Sequence, residues 1–219
     1  MATAAILQSA VLRTTARVRP TPSLFYFPGL SSQEWHDPSH FPWTKLLEDN
    51  VENIKQEYLQ MQRDGVADDY NTSDNNEDHK LHSGNWAWHS YVRKGERQEH
   101  FRERCPQTAA VLDEIGIMTG TPFSYSFFST LASKSRIAPH SSSCNLRLRS
   151  HLPLIVPEGS ANECGLRVGV ETKKWVEGKC LIFDDCYEHE AWNETESPRV
   201  ILLLDTWHPE IDEKERKAS

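Results

Sequence analysis

No run of 18 apolar residues occurs anywhere in the chain, so nothing in it is long enough to span a bilayer as a helix. Cysteine is sparse and irregular. Cys105, Cys144, Cys164, Cys180 and Cys186 contain no CxxC pair, and an odd count argues against a disulfide framework. They read as free thiols packed as small apolar groups. No basic stripe stands out either: 24 basic and 32 acidic residues are spread along the sequence for a net charge of −8, which argues against a nucleic-acid partner. Acidic residues are missing from residues 1–33, which carry Arg13, Arg17 and Arg19 beside short apolar pieces at 4–7 and 10–12. That acid-free, Arg-bearing start has the composition of a mitochondrial transit peptide and lacks the basic lead-in of a secretory signal; a disordered tail fits it equally.

What remains is enough for one domain. A chain of 219 residues buries roughly 70% of its unfolded surface and needs no disulfide or metal staple to fold. Seven Trp, six Tyr and eight Phe suit a sheet-rich core. We divide the chain into residues 1–19 (disordered tail or targeting segment), a domain over 20–212, and a charged tail over 213–219.

Along the domain, residues 25–30 read as a short extended piece with a turn, and Trp35 and Trp43 as core anchors. Residues 41–63 place Leu46, Leu47, Val51, Ile54, Tyr58 and Met61 at helical spacing, which predicts one amphipathic helix. The acidic stretch 64–82 predicts a solvated, mobile loop. A second helix is expected over 105–117. Strands are expected over 86–92, 124–130, 144–157, 166–170, 179–183 and 200–207, each β-branched or aromatic and bounded by turn formers. Several strands with no helix between them argue for an antiparallel sandwich or barrel. Two glycosylation sequons, at Asn71 and Asn193, would matter only in a secretory compartment.

The candidate chemistry lies in the strand-rich part. His140 sits in a loop after a strand, and His189 follows the apolar residues 180–183. Arg199 comes ten residues later and opens a strongly apolar strand. Imidazoles suit iron, copper and zinc, and two of them with open positions make most of a facial iron(II) site. A cation opening a buried strand is costly unless paired, so Arg199 invites an anion. Arg147, Arg149 and His151 alternate with leucines, which puts them on one face of a strand. That face is either an ordinary solvated surface or a carboxylate-binding wall inside a barrel.

Taken in order, Phe128-Ser129, Pro139-His140, residues 145–152, Trp175-Val176-Glu177-Gly178-Lys179, residues 183–190, and Arg199 through Asp205-Thr206-Trp207-His208-Pro209 resemble the catalytic domain of the aspartyl/asparaginyl β-hydroxylases. The resemblance covers roughly 80–210, with core motifs at 84–210. It implies a mainly β, double-stranded β-helix fold with flanking N-terminal helices. It also implies an Fe(II)- and 2-oxoglutarate-dependent dioxygenase that uses O₂. By motif, His140 and His189 match the iron-binding histidines and Arg199 the residue that grips the far carboxylate of 2-oxoglutarate. Arg149, His151 and Ser129 match further cosubstrate contacts, and Trp86 matches an aromatic lining the same pocket. Ser142 stands where most such oxygenases carry an acid, which members of this family also lack, and Asp185 is expected to orient the metal or its water. The implied partner is a protein or peptide bearing Asp or Asn, such as an EGF-like domain, and the implied address is the endoplasmic reticulum; the N-terminal composition suggests mitochondrion or cytoplasm instead. A lipid or small-molecule substrate, a non-catalytic β-helix and a zinc hydrolase stay open as alternatives, the last disfavoured by the lack of a third ligand.

Overall fold

The computed structural model describes residues 18–70 and 81–218. Among the described residues twelve strands form two antiparallel sheets. The strands are β1 (Trp35–His36), β2 (His82–Ser83), β3 (Trp86–Arg93), β4 (Glu96–Arg97), β5 (Ser126–Leu131), β6 (Ser135–His140), β7 (Arg147–Ile155), β8 (Cys164–Val168), β9 (Glu171–Lys173), β10 (Leu181–Phe183), β11 (His189–Asn193) and β12 (Arg199–Trp207). The larger sheet runs β1-β10-β7-β12-β5-β3-β4 and the smaller β2-β6-β11-β8-β9. From β5 onward the chain swings between the sheets, so strands close in sequence face one another across a gap. That is the double-stranded β-helix the resemblance implied.

Side-chain alternation on the larger sheet sorts residues into two cores. On β12, Val200, Leu202 and Leu204 point outward to the helices, with Phe128 of β5 and Leu152 and Leu154 of β7. Ile201 and Leu203 point inward with Phe127 and Leu131, and meet Ile137, Leu166, Val168 and Ala191 of the smaller sheet. The molecule is therefore three layers: helices, seven strands, five strands.

The helical layer differs from the expectation of a single helix over 41–63. Two helices stand there, α1 (Trp43–Asp49) and α2 (Val51–Arg63). At the break, Asn50 has left helical geometry (φ −102°, ψ 6°), and its side-chain amide donates to the Leu46 carbonyl. A short amide that competes for backbone acceptors favours such a break. Leu47 and Ile54 on either side remain fully buried, so both halves keep their grip on the sheet. Trp35 and Trp43 are half-buried edge packers rather than core anchors.

Other departures are local. A helix α3 (Glu99–Arg104) precedes the expected one, α4 (Pro106–Ile115), which stops at Gly116 in the left-handed region (φ 72°) that a glycine enters without a Cβ clash. The expected tail includes a helix, α5 (Glu213–Ala218). His140 ends strand β6 instead of lying in a loop, and β11, beginning at His189, was not expected as a strand. Of the expected loop 64–82, residues 71–80 lie outside the described residues, but Tyr70 is buried and Asp69 accepts from the Ser90 amide and hydroxyl. Residues 1–17 and the sequon at Asn71 also fall outside. No helix among the described residues is long and apolar enough to cross a membrane.

Candidate active site

A cavity of about 180 Å³ opens between the two sheets. Of the residues singled out from the sequence, Trp86, Ser129, His140, Ser142, Arg147, Arg149, His151, His189 and Arg199 line it, and Asp185 does not. Their convergence follows from strand register. His140 and His189 are direct partners across β6 and β11, and Arg199 shares the inward face of β12 with Ile201 and Leu203.

The two imidazoles lie with ring centroids 4.1 Å apart. Each Nδ1 faces a carbonyl two residues earlier, Ala138 at 2.8 Å for His140 and Tyr187 at 2.9 Å for His189. A carbonyl only accepts, so each Nδ1 carries the hydrogen and each Nε2 keeps a lone pair. Burial lowers the pKa of His140; burial and the neighbouring His140 push that of His189 down to about 3. Both rings are thus held neutral, as ligands to a cation need to be. Among the described residues no group of three or more His, Cys, Asp and Glu is arranged to hold a metal. Ser142 adds no ligand: its hydroxyl donates to the Cys144 carbonyl at 2.6 Å.

Arg199 is 1% exposed, and no described carboxylate pairs with it. One guanidinium nitrogen reaches the carbonyl and hydroxyl of Ser129, each at 3.3 Å, while the buried Nε has no hydrogen-bond partner. The Trp175 ring lies 4.7 Å from the guanidinium carbon. Burial lowers the Arg199 pKa to about 10. Around it, the Trp86 indole donates to the Ser129 hydroxyl at 2.8 Å, and the Trp175 indole donates to His151 Nδ1 at 3.2 Å. That second bond leaves His151 its Nε2–H as a donor. Burial, Arg199 and Arg149 keep its pKa well below the ordinary value, so this donor is neutral. A cation, a hydroxyl and a neutral N–H in one cavity can together receive a carboxylate.

The stretch 145–152 lies inside the barrel. Arg147 and Arg149 face inward, Arg147 buried and Arg149 partly so, which rules out a solvated outer face, yet neither is free. Asp185 takes Arg147 (2.7 Å) and Arg149 (3.3 Å), and Asp205 takes Arg149 (2.9 Å) and Arg147 (3.2 Å). Both aspartates are fully buried. For Arg147 and Asp185 burial opposes the charge, but the opposite charges beside them prevail, raising the Arg147 pKa and lowering that of Asp185. Two guanidiniums and two carboxylates sum to zero, so the wall carries no surplus positive charge.

Three residues of the site escaped sequence reasoning. Asp205 was findable, because it lies six positions from Arg199 on the same face of β12. Trp175 belongs to a quoted motif but had no assigned role. Tyr70 was hidden in the acidic stretch, and its ring packs 4.8 Å from that of Trp88, which stacks on Phe127 at 4.1 Å.

Comparison with known proteins bears on the fold and the family. The solved structure of a prolyl hydroxylase from Trichoplax adhaerens, in complex with a hypoxia inducible factor peptide fragment, superposes with TM-score 0.51 at 13% identity, covering 83% of this chain and 94% of that one. The human aspartyl/asparaginyl beta-hydroxylase is 34% identical over 200 residues, 90% of this chain. An ornithine lipid ester-linked acyl 2-hydroxylase of Rhizobium tropici is 33% identical over 180 residues, 80% of this chain and 60% of its own length. The chain spans only about a quarter of the mouse and human relatives it matches, 26% and 25% of their lengths. The family model for aspartyl/asparaginyl beta-hydroxylase matches residues 48–209, a span that takes in every cavity residue singled out above, and to that family the chain belongs.

Proposed function

We propose that the chain is an iron(II)- and 2-oxoglutarate-dependent oxygenase that hydroxylates the side chain of an aspartyl or asparaginyl residue in a protein or peptide. The observation that carries this reading is the pairing of two adjacent neutral histidines, His189 buried and His140 partly so, with a buried guanidinium that has no carboxylate. The donor set fits both groups. His140 and His189, their rings 4.1 Å apart, keep Nε2 lone pairs that would hold the iron, and the unpartnered Arg199 Nε marks where a carboxylate would bind. When bound, iron(II) with 2-oxoglutarate and O₂ supplies the oxidising power for C–H hydroxylation.

The chain's own residues bind, orient and exclude. Arg199, the Ser129 hydroxyl and the His151 N–H hold the remote carboxylate of the cosubstrate. The Trp86 and Trp175 indoles fix Ser129 and His151 in the rotamers that make this possible. The carbonyls of Ala138 and Tyr187 fix the tautomer of the metal-binding histidines. Inward apolar residues of both sheets keep water from the reacting centre. The peptide substrate is suggested by the mouse and human relatives named for that reaction.

The test is anaerobic titration with Fe(II) and 2-oxoglutarate. A weak visible charge-transfer band is expected only when both are present, and its absence would leave a zinc hydrolase or a non-catalytic β-helix. One observation favours a second substrate: Tyr70, Trp88 and Phe127 give the cavity an aromatic wall, and one relative is named for acyl hydroxylation. Gain of one oxygen by a total lipid extract, with none in peptides, would transfer the oxygenase to that substrate.

A further inference from the structure

The residues that line the cavity divide by chemistry. Arg199, Ser129, His151, Trp86 and Trp175 serve the carboxylate receptor, His140 and His189 the metal, and Arg147 and Arg149 are bound to two aspartates. Most of what remains is apolar and deep, as Phe127, Ile137, Leu166 and Leu203 are. Among the described apolar lining residues, Leu81, Trp88 and Tyr125 alone are half-buried. They are the part of the apolar wall that reaches solvent, and so form one lip of the cavity.

Trp88 is the largest of the three and is fixed by its neighbours. It lies on the inward face of β3 with Trp86, opposite Ser129 of β5. Its ring stacks on Phe127 with centroids 4.1 Å apart and planes at 18°. It meets Trp86 and Tyr125 edge to face at 4.9 and 6.1 Å, and Tyr70 packs against it at 4.8 Å. Tyr70 is held in turn through the residue before it. The Asp69 amide donates to the Trp88 carbonyl at 2.9 Å, and the Asp69 carboxylate accepts the Ser90 amide at 3.0 Å and the Ser90 hydroxyl at 3.1 Å. An indole packed by four other rings has little rotamer freedom left to lose when a further group packs on it. Its Nε1 is buried in this packing without a hydrogen-bond partner, so the part of the ring that reaches solvent is carbon. A fixed, carbon-faced aromatic at a cavity lip is a surface on which an apolar group gains by leaving water and a polar group does not.

A peptide whose side chain reaches the two histidines lays its flanking residues on that lip. A lip of three side chains matches the breadth of one such residue rather than the length of an acyl chain. We propose that Trp88 is a specificity-determining residue that takes a hydrophobic side chain adjoining the hydroxylated position, so that the substrate is an Asp- or Asn-bearing segment with an apolar flank. This rests on the oxygenase reading and adds the sequence context of the target to it.

The test uses the full chain with Fe(II), 2-oxoglutarate and O₂, and two peptide libraries below saturation. Both carry an equal mixture of Asp and Asn at the centre; one is flanked on both sides by Leu, Val or Phe, the other by Ser, Gln or Lys. The apolar-flanked library is expected to gain oxygen at an initial rate about tenfold or more above the other, the worth of one buried apolar side chain. Equal rates, a faster polar-flanked library, no gain in either, or gain confined to a lipid extract overturns the inference. The charge-transfer titration on the same preparation separates the failures. No band means the oxygenase reading has failed as well, whereas a normal band without a preference for apolar flanks defeats this inference alone. Trp88→Ala provides a second arm and should bring the rates on the two libraries together, while Trp88→Phe, which keeps a ring, should retain most of the preference. An unchanged ratio in the folded Trp88→Ala variant, or an equal loss on both libraries, also overturns the inference, and the native-chain comparison does not depend on any variant folding.

Discussion

Arg199 holds a full positive charge where burial disfavours it and only a ring face and two oxygens of Ser129 offset the cost. In the resting protein that charge is a burden, and with a bound dicarboxylate it becomes an asset. Arg199→Met should accordingly leave the melting temperature of the metal- and cosubstrate-free protein unchanged or raise it. The same variant should raise the KM for 2-oxoglutarate by two or more orders of magnitude, since a buried guanidinium–carboxylate pair broken at one end costs about 3–5 kcal/mol. Thermal melts and initial rates check the two halves, and a marked loss of stability would mean Arg199 already has a partner at rest. His140→Ala and His189→Ala are each expected to abolish Fe(II)-dependent succinate formation; substantial activity in either would remove the two-histidine metal site. Asp184, next to the network but outside it, gives a pH-dependent test. Burial raises its pKa from 3.8 to about 6, so the folded protein binds this proton more tightly than the unfolded chain. The resulting destabilisation is full above about pH 6 and is relieved as pH falls toward 3.8, amounting to roughly 3 kcal/mol at about 1.4 kcal/mol per pH unit. Asp184→Asn should therefore stabilise the protein more at pH 7.5 than at pH 4.5, measured by chemical denaturation. An equal gain at both would locate the effect elsewhere.

At the scale of elements, β12 serves two purposes with one alternation, and the faces can be separated by mutation. Leu202 points into the helical layer and is fully buried, so Leu202→Ala should cost about 2–5 kcal/mol of stability while the KM for 2-oxoglutarate stays near its native value. A large change in KM would show that the helical layer sets cavity geometry. Strands of this kind were legible in the sequence because period-two patterning survives in Arg147-Leu148-Arg149 and in the apolar run from Val200. Strand β11 was not legible: His189-Glu190-Ala191-Trp192-Asn193 alternates in burial, but its polar members hide the pattern. The Asn50 break was invisible for the converse reason, since the apolar periodicity of α1 and α2 runs through it. The positions of the site residues could be read from motif order. The neutralisation of Arg147 and Arg149 could not, because Asp185 and Asp205 lie 38 and 56 residues along the chain from the arginines they meet.

At the scale of the molecule, the segment before the helices binds the site from outside. Thr21 donates to the Cys186 carbonyl, Ser23 to that of Ser142, and β1 pairs with β10. We propose the domain boundary near Pro20 on this basis: a chain beginning there should fold and turn over 2-oxoglutarate without a peptide, whereas one beginning at Phe41 should not accumulate as soluble protein. Expression and succinate assays of the two would decide, and loss of the longer chain would place essential packing before Pro20. All five cysteines are buried as free thiols, and burial raises the pKa of each, so none is poised to react. Asn193 imposes an order of events on the whole chain. Its amide is fully buried and donates to the carbonyls of Leu131, Ala132 and Ser197, while its oxygen accepts from Thr195. N-glycosylation acts on the extended chain as it emerges, before such a bond set exists. In a compartment that attaches glycans, folding and sugar transfer would compete for one amide nitrogen. A molecule that received the sugar first could no longer close β11 against the turn after β5, so any glycan found at Asn193 would mark a chain that had missed this fold.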